Sequence, residues 1–380
     1  GRGGMWLLDP TEIIIDSATA TLINTTLTSS SVTIQAGSVS CTVSCADTAS
    51  NNNGNIWVVN AISWTSSNSL YLKATGNIYV NANISVGSGG GLYLLYGGSS
   101  TTLAPTAGNG YYLGSGKSIT FATTSGVLYQ GNTSYTLING TTNAGLISTA
   151  NYALINDVTS VACGGGCHAG YLGYSMTNQT YQGIFDGLGH SFNPTNQGVT
   201  GLYLSGPLGN GLGTGLFAKI DGATIRNLTV NVYANVSLNP TSGIYFGGIA
   251  GIATGVTSLT NVAVTGSFAL SGSCTTCDLY VGGLVGNVSS GNLVINGSSS
   301  SLIMTGTTSI ASYKSNSIGG LVGGVSTMTT GSVSNVYVSI NSSSFTGSLI
   351  GGQSFSGYAG SCIVSIAQSF TSSLIPESFA

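Results

Sequence analysis

The sequence predicts an all-β solenoid, and a repeated phrase is the main evidence. The phrase occurs at residues 245–251 (YFGGIAG), 280–286 (YVGGLVG) and 317–323 (SIGGLVG), and a degenerate copy occurs at 349–352. Its Gly-Gly steps fall roughly 32 to 37 residues apart, a spacing typical of one supersecondary unit that is copied and stacked. Between the copies, tails such as residues 225–230 alternate apolar with small polar residues around an Asn, which is the period of a strand.

Short β-branched and aromatic runs, separated by Gly, Asn and Ser, also fill the first part of the chain. Six such runs are predicted as strands: residues 22–24, 31–34, 56–59, 70–73, 76–81 and 92–95. No segment has the apolar stripe of a helix, so we expect strands throughout. Because each repeat of a solenoid hides its apolar face only against its neighbours, we expect function on the surface and at the ends.

The composition agrees with stacked repeats. Only 4% of the residues are charged although 42% are hydrophobic, whereas about a quarter are charged in ordinary globular proteins. In a solenoid, equivalent side chains lie about 4.8 Å apart, where like charges repel by about 0.9 kcal/mol even in water. Columns of Asn, Ser and Thr hydrogen-bond instead. The rival explanation is an acidic or harsh medium, in which a chain with few titratable groups keeps its stability.

The charge balance excludes two classes of partner. With six Lys and Arg residues and a net charge of -3, the chain has no basic patch for nucleic acid or anionic lipid. No apolar run is long enough to span a membrane, so we expect no membrane insertion. The chain begins Gly-Arg-Gly-Gly without a signal-like segment, and we interpret it as the mature form of an exported protein.

The beginning of the chain resembles a known family. The segment 6–10 (WLLDP) precedes Ile13-Ile14-Ile15, and residues 62–70 (ISWTSSNSL) lead to residues 76–84 (GNIYVNANI). Over about residues 5–98 this order is similar to the filamentous haemagglutinin family of secreted bacterial proteins.

The second half resembles the GLUG-repeat segments of the same kind of proteins. Residues 152–157, 183–190 and 215–217 and the Gly-Gly-Leu-Val-Gly copies follow that order over roughly residues 151–352. Together the two resemblances imply a right-handed parallel β-helix, with a haemagglutinin-like region at 1–150 and a GLUG region at 151–380 in one continuous solenoid. They imply secretion to the surface of a Gram-negative-type bacterium, a structural or adhesive role, and no catalytic residues.

Six of the seven cysteines form close pairs. The pairs are Cys41 with Cys45, Cys163 with Cys167, and Cys274 with Cys277, and Cys362 is left alone. In an exported chain such pairs predict disulfides that close short loops. The zinc alternative has three ligands in Cys163, Cys167 and His168 and needs a fourth. The same segment resembles a c-type haem attachment sequence with one residue too many between the cysteines. We therefore expect neither a metal nor a cofactor.

Four aspartates raise the alternative of a β-helix enzyme that degrades polysaccharides. They are Asp157, Asp186, Asp221 and Asp278. That chemistry needs two or three acids within reach of one sugar bond. These residues lie in repeat-signature turns, where an Asp caps its own backbone, and we expect His190 to close the turn that holds Asp186. We predict no enzymatic activity.

Two non-enzymatic functions remain. In the first, copies of the chain stack end to end into a fibre, with Trp6 at one end and Ile363, Val364 and Ile366 at the other. In the second, the chain is an adhesin that binds glycans through tyrosines of its Gly-rich middle. These tyrosines are Tyr93, Tyr96, Tyr111, Tyr112, Tyr171 and Tyr174, and core packing is the alternative for about half of them.

Overall fold

The structure is a computed structural model, and parallel strands dominate it. It describes residues 12–37, 54–98, 109–141, 146–161, 171–172, 180–196, 199–204, 213–237, 243–271, 278–306, 315–325, 336–350 and 363–367. These residues divide into two compact units. Unit 1 holds the described residues of Gly1–Asn139, Asn151–Asn156 and Leu188–His190, and unit 2 holds those of Gly140–Ala150, Asp157–Gly187 and Ser191–Ala380. The fold is all-β, as predicted, and the boundary after residue 150 stays a prediction.

Unit 1 contains a short helix and thirteen described strands. The helix is α1 (Ser17–Leu27). The strands are β1 (Ile13–Ile15), β2 (Val32–Ala36), β3 (Ile56–Val58), β4 (Ile62–Ser63), β5 (Ser69–Ala74), β6 (Ile78–Val80), β7 (Ile84–Val86), β8 (Gly91–Leu95), β9 (Tyr111–Leu113), β10 (Ile119–Phe121), β11 (Val127–Gln130), β12 (Thr133–Ile138) and β13 (Tyr152–Leu154). Five of the six predicted runs are strands.

Three parallel ladders organise unit 1. Their strand orders are β1-β3-β6-β9, β4-β7-β10 and β2-β5-β8-β11. Because successive side chains of a strand point to opposite faces, each ladder contributes a buried column of residues in register. The columns are Ile13, Ile56, Ile78 and Tyr111; Ile62, Ile84 and Ile119; and Val32, Leu70, Leu92 and Leu128. Stacked apolar side chains, nearly all of them aliphatic, therefore form the core of this unit.

The prediction of a strand at residues 22–24 and of no helix was wrong, because α1 occupies this segment. Asp16 caps the helix through a carboxylate oxygen that accepts a hydrogen bond from the Thr19 amide at 2.9 Å. Ala20, Ile23 and Leu27 form the buried stripe. The stripe has only one buried residue in each helical turn. It lies among threonines, which favour strands, so the helical period was not recognised in the sequence.

Helix α1 covers the outer edge of β4. The Asn24 Oδ1 atom accepts a hydrogen bond from the Ser63 amide at 2.9 Å, and the Leu27 carbonyl accepts one from Asn68 Nδ2 at 2.8 Å. The helix thus satisfies the Ser63 amide, a backbone group that a further strand would otherwise pair. Across the described ranges, no helix has both the length and the apolar character of a membrane span.

Unit 2 contains twenty-three described strands. They are β14 (Thr180–Tyr181), β15 (Ile184–Asp186), β16 (Ser191–Phe192), β17 (Thr195–Asn196), β18 (Val199–Thr200), β19 (Leu202–Leu204), β20 (Gly213–Thr214), β21 (Phe217–Asp221), β22 (Thr224–Ser237), β23 (Ile244–Gly247), β24 (Ala250–Thr254), β25 (Val256–Ser271), β26 (Asp278–Gly282), β27 (Val285–Val288), β28 (Gly291–Asn296), β29 (Ser299–Ser300), β30 (Ile303–Gly306), β31 (Ser315–Gly319), β32 (Val322–Val325), β33 (Val336–Asn341), β34 (Ser344–Phe345), β35 (Ser348–Ile350) and β36 (Ile363–Ala367).

Parallel ladders also organise unit 2. Two of them run β20-β23-β26-β31 and β14-β21-β24-β27-β32. The third is built on β22 and β25, the longest strands of the unit with 14 and 16 residues, and it continues through β28, β33 and β36. The repeated phrase spans the corner between the first two ladders: β23 ends at Gly247 and β24 begins at Ala250.

The glycines of the phrase allow two walls of unit 2 to approach at backbone distance. A Cβ atom on Gly286 in β27 would lie 2.6 Å from the Phe246 amide nitrogen in β23, and one on Gly323 in β32 would lie 2.6 Å from the Val281 amide nitrogen in β26. Neither residue has a positive φ. Close approach, and not an unusual backbone angle, is therefore the reason for glycine here, while Leu284 fills the corner with a fully buried side chain.

An asparagine bends each of the two long strands of unit 2. Asn227 in β22 and Asn261 in β25 both have φ of 52°, the left-handed region that Asn tolerates better than most residues. Asn261 Nδ2 donates a hydrogen bond to Asn227 Oδ1 at 2.9 Å. A second pair joins Asn341 to Asn296 at 2.9 Å. The predicted hydrogen-bonded columns of Asn are confirmed at these positions.

Candidate binding surfaces

The tyrosines that the sequence proposed for binding fall into different environments. Tyr111 and Tyr171 are buried, at 6% and 2% exposure, and belong to the core. Tyr93 and Tyr96 are partly exposed, and Tyr112 is 48% exposed. Tyr174 lies outside the described residues. The surface candidates of the described chain therefore reduce to Tyr93, Tyr96 and Tyr112.

A first aromatic column runs along the outer face of unit 1. Trp57 and Tyr79 stack with ring centroids 3.8 Å apart, and Tyr79 and Tyr112 stack at 5.3 Å. The strands β3, β6 and β9 pair in register, so equivalent outward positions lie one above another. Trp57 Nε1 donates a hydrogen bond to Glu12 Oε1 at 3.3 Å, and Ile14, in register with Trp57, is 61% exposed.

A second aromatic column lies on the β5-β8-β11 ladder. Tyr71 and Tyr93 stack with centroids 4.2 Å apart and ring planes 15° apart, and Tyr93 and Tyr129 stack at 5.2 Å and 9°. Burial raises the pKa of the Tyr93 hydroxyl, and the Tyr71 and Tyr129 hydroxyls raise it further. Tyr93 is thus the middle ring of a stack of three.

Stacking limits what these columns can bind. A sugar ring packs against an open aromatic face, but Tyr79 and Tyr93 have a neighbouring ring on each face. Tyr112 is an end ring: among the described residues only Tyr79 stacks on it. The face of Tyr112 is therefore the aromatic surface of this column best suited to a glycan.

A buried polar cluster lies in unit 2. The Asp186 side chain is fully buried, and its Oδ2 atom accepts a hydrogen bond from Arg226 Nε at 2.9 Å. Its Oδ1 atom accepts one from Asn227 Nδ2 at 3.1 Å. The sequence placed Asp186 as the cap of its own turn and did not identify Arg226 as its partner. The two residues are 40 apart in sequence and meet because β15 and β22 pair in register.

His190 was expected to close the turn that holds Asp186. The structure buries His190 in unit 1, where its Nε2 atom lies 2.9 Å from the Ile119 carbonyl oxygen. The contact crosses 71 residues of sequence. His190 therefore contacts the β10 strand, a partner that its position in the turn did not indicate.

The other aspartates have separate partners. Asp157 accepts hydrogen bonds from the amide and hydroxyl of Ser191, at 2.7 and 3.0 Å. Asp221 accepts hydrogen bonds from Gln182 Nε2 and Thr254 Oγ1, at 2.9 and 2.8 Å. A search confined to the described residues finds no group of three His, Cys, Asp or Glu side chains placed to hold a metal. The geometry thus brings these carboxylates into local hydrogen bonds.

The predicted disulfides lie outside the described residues, and so does one of the two predicted ends of the fibre contact. All seven cysteines and Trp6 lie outside the described residues, so the disulfides, the partner of Cys362 and the role of Trp6 stay predictions. Ile363, Val364 and Ile366 lie in β36, which pairs in parallel with β33. In the described chain, no strand pairs with the opposite edge of β36.

Sequence reasoning missed the column of Trp57, Tyr79 and Tyr112, although a signal was available. Each residue is the middle of a three-residue run, IWV, IYV and YYL, with an apolar or aromatic residue on each side. Aligning these runs by pattern would have placed the three rings in register. The segments between the runs vary in length, and this concealed the common register of the three rings.

No protein-family model, curated protein or solved structure matches the chain. The resemblances to filamentous haemagglutinin and GLUG repeats therefore stay predictions.

Proposed function

We propose that the chain is a right-handed parallel β-helix and acts as a non-enzymatic extracellular structural protein, a subunit of a surface fibre or biofilm matrix. The observation that carries this proposal is the set of parallel, in-register ladders in both units. Such ladders present a row of unpaired backbone groups wherever a ladder ends, and these rows can pair with another chain.

Charge supports the same proposal. Proteins commonly protect open strand edges with Lys and other charged side chains, but only 4% of this chain is charged. The stacked columns consist of aliphatic, aromatic and asparagine side chains, which attract their equivalents in the next rung. A contact between copies would extend the same columns. A head-to-tail contact of this kind repeats without closing and produces a fibre.

Helix α1 restricts where the copies would meet. It covers β4, one of the three first strands of unit 1, through the hydrogen bond between Asn24 and the Ser63 amide. The outer edges of β1 and β2 pair with no strand in the part of the chain that the structure describes. A head-to-tail contact at this end would therefore use β1 and β2, beside the helix, together with the outer edge of β36.

The alternative function is an adhesin stalk or tip that binds glycans. One observation favours it: the exposed end ring of the first aromatic column, Tyr112. A single open ring face offers little area for binding a glycan, since both faces of the next ring, Tyr79, are covered by neighbouring rings. For this reason we place the structural role first.

Negative-stain microscopy across a range of protein concentrations tests the proposal, with the variant Ile14→Lys as the probe. Ile14 points outward from β1 and is 61% exposed, so a lysine there fits the folded chain and discourages edge pairing. The matched control is Val256→Lys, at a 71% exposed position of β25, a strand that is paired on both sides.

We expect fibres from the wild type and from Val256→Lys, and none from Ile14→Lys. Single particles from the wild type at every concentration would overturn the fibre. The adhesin function would then be tested by glycan binding to the wild type and to Tyr112→Ala.

A further inference from the structure

The second aromatic column of unit 1 holds two phenol rings stacked at short distance. Tyr71 and Tyr93 lie directly opposite each other in the parallel pair of β5 and β8. Their ring centroids are 4.2 Å apart and their planes differ by 15°. Both side chains are partly exposed, so a small oxidant can reach them. Paired strands hold the rings in this position before any reaction begins.

We propose that Tyr71 and Tyr93 are a site of oxidative cross-linking, at which the two rings become joined as dityrosine. This inference depends only on the stacking in unit 1 and goes beyond the proposed structural function. The reactant is a one-electron oxidising system, such as hydrogen peroxide with a haem peroxidase.

Each phenol loses one electron and one proton, which leaves two phenoxyl radicals with spin density on the ring carbons ortho to oxygen. One ortho carbon of Tyr71 bonds to one of Tyr93, and the hydrogen on each of these carbons moves to the phenol oxygen. The two electrons and two protons reduce one hydrogen peroxide to two waters. The net change in the chain is one new carbon–carbon bond and the loss of two hydrogen atoms.

The geometry selects this pair over the other tyrosine stacks of the described chain. The remaining pairs are more distant: Tyr93 with Tyr129 at 5.2 Å, Tyr79 with Tyr112 at 5.3 Å, Tyr245 with Tyr280 at 5.6 Å, and Tyr203 with Tyr233 at 5.8 Å. A bond between the rings of Tyr71 and Tyr93 would tie two successive strands of one ladder together.

Exposure alone predicts a different product. Tyr112 and Tyr337 are the most exposed of the described tyrosines, at 48% and 44%, and would react before Tyr71 and Tyr93 if access to the oxidant decided the outcome. Radicals on such exposed residues couple when two chains collide, and the products are dimers. The yield of these dimers would therefore rise with protein concentration, whereas coupling of Tyr71 with Tyr93 stays within one chain.

The experiment oxidises the purified chain with peroxidase and hydrogen peroxide over a wide range of protein concentrations. Dityrosine fluorescence, intact mass and tandem mass spectrometry of the digested chain are measured. We expect a monomer that has lost two hydrogen atoms, a link mapped to Tyr71 and Tyr93, and a yield that does not change on dilution.

Two conservative variants sharpen the test. Tyr71→Phe keeps the stacked ring but removes the phenol, so the intrachain link should be lost, while Tyr112→Phe should leave it intact. Circular dichroism checks that both variants fold. An intrachain link that persists in Tyr71→Phe, a product made only of dimers, or no dityrosine under conditions that couple a free tyrosine peptide would each overturn the proposal.

Discussion

The two units pack their parallel ladders in different ways, unit 1 with large side chains and unit 2 with glycines. In unit 1, side chains fill the interior, as in the column of Ile62, Ile84 and Ile119. In unit 2, the corner of the repeated phrase brings backbone against backbone, so that Gly286 lies against the Phe246 backbone with no room for a Cβ atom. One ladder architecture can therefore be packed in two ways, either by filling the interior with side chains or by using glycine where the backbones meet.

Asparagine also acts differently in the two units. In unit 1, Asn side chains accept hydrogen bonds from backbone amides of the next rung: Asn55 from Asn77 at 2.8 Å, and Asn77 from Gly110 at 3.0 Å. In unit 2, the side chains of Asn261 and Asn227 bond to each other at a left-handed bend. The first arrangement satisfies turn amides, while the second also depends on an uncommon backbone angle.

The largest effect should come from a charge placed in the corner of unit 2. Leu284→Asp would bury an unpaired carboxylate, which we expect to cost at least about 3 to 5 kcal/mol. The control Leu22→Asp changes an exposed residue of α1 and should cost less than about 1 kcal/mol. Hydrogen exchange should show lost protection in β23, β24, β26 and β27 and retained protection in β5 and β8. Equal loss in both units would contradict the view that rungs depend on their neighbours.

A methyl group should distinguish the tight corner of unit 2 from a position in unit 1 that has room for a Cβ atom. Gly286→Ala places a Cβ atom 2.6 Å from the Gly251 carbonyl oxygen, and we expect a cost of about 1 to 3 kcal/mol. At Gly110 in unit 1 the nearest atom to a new Cβ is 3.8 Å away, so Gly110→Ala should be nearly neutral. Chemical denaturation of the three proteins measures both values. Similar midpoints would mean that the corner can widen to admit the methyl group.

The bend at Asn261 separates backbone angle from hydrogen bonding. Asn261→Ala loses the bond to Asn227 and strains a residue with φ of 52°, which together should cost about 2 kcal/mol. Asn261→Gly loses the bond but accepts the angle, so about 1 kcal/mol is expected. The free energies of unfolding of the two variants give the comparison. If the alanine variant is no less stable than the glycine variant, the angle contributes nothing.

The smallest effect is confined to high pH. Burial raises the pKa of Tyr171 from its ordinary 10.0 to about 12. Between these values the unfolded chain loses the proton while the folded chain keeps it, so the free energy of unfolding should fall as pH rises through this window. Tyr171→Phe should fall less steeply, whereas the exposed control Tyr112→Phe should follow the wild type. Thermal melts at about pH 9, 10, 11 and 12 would measure how steeply the stability of each protein falls. Parallel slopes for Tyr171→Phe and the wild type would contradict the assignment.

Much of the fold could be predicted because strand signals are local. The alternation in residues 70–73 places Leu70 and Leu72 inside and Tyr71 outside, and β5 has this pattern. The segment 22–24 failed because its helical stripe is narrow and its threonines favour strands. Tyr111 and Tyr171 were proposed for the surface although they are buried, since their burial depends on which strands and loops cover them.

The β-rich character of the chain, the stacking of its repeats and the exclusion of charge from the stacked columns can be inferred from sequence, because these properties depend on residues near one another in the chain. The contacts between rings, the carboxylate that pairs with Arg226 and the reason for glycine in the phrase required the three-dimensional arrangement. The loops between rungs vary in length, so vertical neighbours cannot be counted from sequence. Asp186 and Arg226, 40 residues apart, meet only when the register of β15 and β22 is set.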